Sequence, residues 1–204
     1  MRLELAERLR CPGAHTPTPL IVVAQETRAR VLHRAIVGCA VCGLEARIAA
    51  GALTFPTGLR LTGAGAEGAA DAATLDRLAA LLHLDAPGGA ILLTGGYARY
   101  AAALEAAHDV HVVVLDPSRD DGREARSIPF TDASFRAAAV DARPAWLLDD
   151  LTRVVTPGGR IVAPAGTEPP VGARLLARDD QEWVAASEGG SGGMVELKRL
   201  KGGR

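Results

Sequence analysis

Aromatic rings make up only 3% of the chain, and lysine occurs only as Lys198 and Lys201. So few rings leave little to stack on unpaired bases. The arginine excess sits in a background rich in Ala, Gly and Pro, and it reads as genome composition more than as a nucleic-acid footprint. No stretch approaches the roughly 18 consecutive apolar residues of a membrane span. The start, MRLELAERLRC, has no apolar run before a small-residue cleavage site. These absences argue against a bilayer protein, a secretory leader and a strong single-strand binder, and the expected location is the cytoplasm.

What remains has a globular balance, with 48% hydrophobic and 23% charged residues, and a length of 204 residues holds one main core with an appendage. The formal charge of −1 conceals an asymmetry: residues 1–60 carry eight Arg and four Glu (net +4), and the rest carry 15 basic and 20 acidic groups (net −5). Two such parts attract each other. No nucleoside-triphosphate, nicotinamide or Gly-x-Ser-x-Gly signature is present. His83, His108 and His111 read as edge or core histidines, the pairs Asp120-Asp121, Asp149-Asp150 and Asp179-Asp180 as caps or solvated loops, and Trp146 and Trp183 as core or interface anchors.

All three cysteines fall in the first 42 residues, as Cys11-Pro-Gly-Ala-His15 and, after a gap of 23 residues, Cys39-Ala-Val-Cys42-Gly43. In a cytosolic chain, thiols at this spacing favour metal over disulfide, because a tight knuckle lets both reach one tetrahedral ion at about 2.3 Å. Cys11, His15, Cys39 and Cys42 complete a Cys₃His set. His33 is a rival for the fourth place, because three residues separate Cys11 from His15 where knuckles usually have two. Residues 1–55 can bury little core, so the expected ion is structural zinc.

The string Leu5-Ala-Glu-Arg-Leu9-Arg-Cys11-Pro12, then Pro19-Leu20, then Val37-Gly-Cys39-Ala-Val-Cys42-Gly43-Leu-Glu-Ala-Arg-Ile48-Ala-Ala-Gly51 carries a resemblance. It resembles the small zinc-ribbon proteins that activate and stabilise partner methyltransferases, and similar ribbons are fused ahead of bacterial methyltransferase domains. The chain departs from that family in Ala14, where the second cysteine belongs, and in Ala46-Arg47, which replace an aromatic-Pro pair. The resemblance spans residues 3–55.

Residues 56–70 (PTGLRLTGAGAEGAA) show little periodicity and read as a linker, which divides the chain into a 1–55 ribbon, a 56–70 linker and a 71–204 main domain. From Asp71 to Leu84 apolar residues recur at helical spacing. Residues 90–94 read as a buried strand, Gly95-Gly96 as a sharp turn, 97–107 as a helix, and 110–115 as a second strand ending at Asp116. In a doubly wound α/β unit, such a glycine turn brings a ligand to backbone N–H groups, and a carboxylate ending the next strand accepts from ribose hydroxyls. Asp116 lies 21 positions after Gly95, as that geometry requires.

Ser127-Ile-Pro129-Phe130-Thr-Asp132-Ala-Ser-Phe135, a strand at 137–140, a helix at 145–155 and Leu151-Thr-Arg153-Val154-Val155-Thr156-Pro157-Gly158-Gly159-Arg160 follow. This series resembles class I S-adenosylmethionine methyltransferases, over about residues 70–200. The resemblance implies an α/β fold, a Rossmann-like sheet closed by an antiparallel hairpin, here 182–187 with 195–200. It also implies that Gly95, Gly96, Asp116 (ribose) and Glu124 (adenine) contact the cofactor. The family's acidic residue two positions before a Gly-x-Gly-x-Gly turn is Leu93 here, and Tyr97 and Arg99 stand at the second and third glycines. Two anchors remain and the central ones are gone.

Elements are missing as well. Eleven residues between Asp116 and Ile128 are too few for the usual crossover helix, and Pro169, Pro170 and Gly172 leave little helix between Pro164 and Glu182. A parallel sheet is normally covered on both faces, so the bare patch calls for the ribbon, a second copy or another protein. The expected role is a methyltransferase-like binding or scaffold subunit with a degenerate S-adenosylmethionine site, its partner another protein or a second copy. The alternative is an active S-adenosylmethionine-dependent methyltransferase acting on an RNA, protein or small-molecule acceptor.

Overall fold

The computed structural model describes residues 1–64, 71–117, 127–141 and 144–189. Glu124 and the segment 195–200 lie outside the described residues. After one helical turn, α1 (Leu3–Ala6), the chain forms an antiparallel meander of β1 (Ile21–Arg28), β2 (Val31–Gly38), β3 (Glu45–Ala49), β4 (Ala52–Thr54) and β5 (Leu59–Gly63). Then come α2 (Ala72–Leu81), β6 (Ala90–Thr94), a 3₁₀ segment (Gly95–Tyr100) running into α3 (Ala101–Ala107), and β7 (His111–Pro117). The chain continues through β8 (Phe135–Ala139), α4 (Ala145–Val154), β9 (Val155–Pro164), β10 (Ala173–Arg178) and β11 (Glu182–Ser187). Every strand belongs to one 11-stranded sheet, ordered β1-β2-β3-β4-β5-β7-β6-β8-β9-β11-β10. Among the described residues no helix is long and apolar enough to cross a membrane.

Strands β7, β6, β8 and β9 pair in parallel, and the strands flanking them on both sides pair antiparallel. All five residues of β6 are buried, as expected of a parallel strand covered on both faces. Alternate positions feed two cores. Ile91 and Leu93 join Leu78, Ala79 and Leu82 of α2 and Ala101 and Leu104 of α3 on one face. Ala90 and Leu92 join Leu147, Leu151 and Val154 of α4 on the other. The β6-to-β7 connection therefore passes over one face and the β8-to-β9 connection over the opposite one.

Two expectations are corrected. Residues 59–63 are not linker but β5, because Leu59 and Leu61 are buried and the strand pairs antiparallel with β7, joining the N-terminal meander to the parallel strands. Strand β11, expected to pair with 195–200, has β9 on one side and β10 on the other, so the closing hairpin among the described residues is β10–β11. No helix forms between Pro164 and Glu182, and Pro169, Pro170 and Gly172 precede β10.

The face on which the sequence leaves a bare patch is covered by the N-terminal segment. Leu5, Ala6 and Leu9 belong to the same core as Leu92, Val113, Leu115, Ile128 and Phe130. Residues 8–11 form the middle of a three-stranded patch: the Arg10 N–H donates to the Pro129 carbonyl (3.1 Å) and Thr131 N–H to Arg8 (2.8 Å) on one side, while Leu20 N–H donates to Leu9 (3.0 Å) on the other. Arg153 then pins the 128–132 segment to α4. It donates to the Ile128 and Phe130 carbonyls (2.9 and 2.6 Å) and to Asp150, whose carboxylate accepts the Ile128 N–H at 2.6 Å. Asp150 is thus a half-buried strut, not the cap or solvated loop residue its sequence suggests.

Candidate metal centre and strand-end crevice

Cys11 leaves the three-stranded patch with its N–H on the Thr18 carbonyl at 2.9 Å, and Cys39 follows β2 directly with its N–H on Leu44 at 2.9 Å. Gly43, at φ +68, turns the chain after Cys42 where an L side chain would be strained. These elements bring the ligand atoms of Cys11, His15, Cys39 and Cys42 within 4.8 Å of one another. Sγ of Cys11 lies 3.7 Å from Sγ of Cys42, and His15 Nε2 lies 3.2 and 3.5 Å from Sγ of Cys11 and Cys39. Around a tetrahedral ion at Zn–S about 2.3 Å and Zn–N about 2.0 Å, two thiolates stand about 3.8 Å apart and a thiolate and an imidazole about 3.5 Å apart. The cluster has the dimensions to hold a metal ion.

Its surroundings suit that role. The Thr16 carbonyl lies 2.7 Å from His15 Nδ1 and can only accept, so Nδ1 carries the proton and Nε2 presents its lone pair to the thiols. Backbone N–H groups of Cys42 and Val41 hold the Cys39 thiol down at about 6, and burial pushes Cys11 up to about 12. Cys39 therefore ionises before Cys11. His33 is not in the cluster; it lines a concavity with Ala52, Arg60 and Thr62. The three-residue gap before His15 is accommodated because the His15 N–H returns to the Gly13 carbonyl at 2.9 Å, folding the knuckle back on itself.

The other expected site lies at the carboxyl ends of β6 and β7. Gly95 and Asp116 each stand one residue beyond the paired Thr94 and Leu115, so they are neighbours across the sheet. Gly95 adopts φ +54, and a Cβ there would overlap the Asp141 side chain. Asp141 leaves β8, the other neighbour of β6, with its N–H bonded to Thr94 Oγ1 at 3.0 Å. The glycine is thus required by close packing of the chain's own carboxylate. Gly96 has open space around its Cα, and a 3₁₀ segment follows it where an α-helix was expected. Asp116 is exposed and registers with Arg60 of β5.

Tyr97, at the second glycine position, donates its hydroxyl to Glu182 Oε1 at 2.7 Å, although β8 and β9 separate β6 from β11 in the sheet. Burial and the Glu182 carboxylate push its phenol well above the ordinary range. Arg77 of α2 pairs with Asp179 at 2.6 Å and with Glu182 at 3.4 Å, completing a tie across the strand ends. The sequence reading missed Asp141 and Glu182. For Asp141 a signal existed, since a residue ending the strand beside β6 must face the turn after β6. No family model matches this chain, and no curated protein matches it.

Proposed function

We propose that this protein is a methyltransferase-like binding or scaffold subunit: a structural zinc ribbon joined to a trimmed Rossmann-like sheet whose S-adenosylmethionine crevice is closed by the chain's own side chains. Support for the sheet reading comes from four parallel strands with connections over opposite faces, followed by an antiparallel hairpin. In such a sheet the strand order reverses between β6 and β8, and ligands enter at the carboxyl ends of the strands at that point. The observation that carries the reading is the contact made there, Asp141 seated against Gly95. A cofactor's amino-acid moiety needs that space and an acidic partner, and Leu93 occupies the acidic position.

Support for association comes from the two open edges of the sheet. Ile21 and Val23 on β1 are 58% and 56% exposed, and Leu175 on β10 is 45% exposed, on the two strands that end the sheet among the described residues. The partner in this reading is another protein or a second copy of the chain. Calorimetric titration of the zinc-loaded chain with S-adenosylmethionine decides the matter. No binding up to millimolar cofactor is expected; a micromolar dissociation constant would sink the closed-crevice reading and restore the active methyltransferase.

A further inference from the structure

Arg10 is a cation with few hydrogen bonds. Its side chain is only 15% exposed, and its Nε is sealed from solvent with no acceptor among the described residues. Among the described residues the single partner of its guanidinium is Asp132 Oδ1, 3.5 Å from Nη1, at the limit of a hydrogen bond. Arg153, close by, shows the contrast: its three nitrogens reach Asp150, Asp132 and two backbone carbonyls. Asp132 is 71% exposed and sits nearer to Arg153, at 3.2 Å, than to Arg10. Asp150 is saturated by Arg153 and the Ile128 N–H. A largely buried guanidinium with unmet donors carries a desolvation cost that an oxyanion can offset with two parallel hydrogen bonds.

Arg10 also opens onto space. It lines a concavity of about 420 Å³ together with Pro17, Thr18, Pro19, Thr131 and Asp132. The threonine hydroxyls are engaged, Thr18 with the Thr16 carbonyl at 2.8 Å and Thr131 with Ser134 at 3.1 Å, and the prolines have no N–H. Recognition therefore falls to the guanidinium. The backbone of Arg10 is held by Pro129 on one side and bridges to Pro19 on the other, so the side chain starts from a fixed base.

We propose that this concavity is an oxyanion site, in which Arg10 takes a carboxylate or phosphate group in exchange for its long contact with Asp132. The native carboxylate acts as a weak internal competitor, and ligand entry moves it fully onto Arg153.

The test uses the full, zinc-loaded chain, titrated with inorganic phosphate and separately with succinate, each against sodium chloride of matched ionic strength. Unfolding midpoints and the ¹⁵N shift of Arg10 Nε are followed. At least one anion should raise the midpoint beyond the chloride control and move the Arg10 resonance. Phosphate alone would assign a phosphoryl ligand and succinate alone a carboxylate ligand. Asp132→Asn, which removes the competitor, should tighten binding severalfold, and Arg10→Gln should abolish it at unchanged zinc content. The proposal fails if neither anion exceeds the chloride effect, or if Asp132→Asn binds no more tightly than the parent. Should Arg10→Gln not fold, the Arg10 resonance in the parent and in Asp132→Asn still decides.

Discussion

Single residues in this protein are constrained mostly by close backbone approach. At Gly159, a Cβ would meet the Arg136 carbonyl and come within 2.6 Å of Val155 Cγ1, because residues 156–159 form a bulge where β9 shifts register against β8. The Pro-Gly-Gly run that resembles a methyltransferase signature is here a structural device. Gly159→Ala should lower stability by about 1–3 kcal/mol in urea unfolding, the usual cost of overpacking. The tight β1–β2 hairpin shows the opposite case. Ala29 and Arg30 sit at φ +46 and +64, a left-handed turn that favours Asn-Gly. Arg30 is retained by its 2.6 Å pair with Glu4, whereas Ala29 has no such reason. Ala29→Asn should raise stability by about 0.5–1 kcal/mol, read as a shift in the unfolding midpoint.

At the scale of elements, the β10–β11 turn is tied to α2 by charge. Backbone N–H of Glu182, the Arg77 guanidinium and the Gln181 N–H hold the Asp179 carboxyl down at about 2, against an ordinary value of 3.8. Because the folded value is the lower one, the contribution is complete above the ordinary range and is lost as pH falls from about 4 to about 2. Asp179→Asn should flatten the pH dependence of stability in that window, with a small amplitude because the pair is exposed. Apolar pattern located α2, β6, β7, β8 and α4, but not the meander β1–β5 or β10. The stretch 90–93 is apolar throughout, α2 begins at the Asp71 cap, and the Cys-x-x-Cys knuckle announces its turn. Legibility ended where a local signal and a tertiary one disagreed. Residues 59–63 are only five long in a glycine-rich stretch, and their strand exists because β7 offers an edge. Nor could spacing show that Asp141 packs against Gly95, since that contact joins residues 46 positions apart.

For the whole molecule, the N-terminal meander β1–β5 and the parallel strands share one continuous sheet. The ladder of residues 8–11 on 129–131 begins beside the ligand Cys11, and Leu9 is fully buried against Phe130. Metal removal should therefore be felt far from the metal. Chelation, or Cys39→Ser, is expected to speed amide hydrogen exchange in residues 127–135 as well as in the ribbon; a change confined to the ribbon would show two independent units. Leu9→Ala should cost about 2–5 kcal/mol and lower both signals in one transition.

The same ladder sets an order of events during synthesis. Leu5 and Leu9 leave the ribosome well before the surface that buries them is made, since that surface includes Val113, Leu115 and Phe130, more than a hundred residues later in the chain. At about 5–20 residues per second, the N-terminal segment waits several seconds with its leucines in water. A metal captured early at the knuckle would fix residue 11 during that wait, so that the ladder closes from a held end. A segment made before the parallel strands is thus sealed only once they exist.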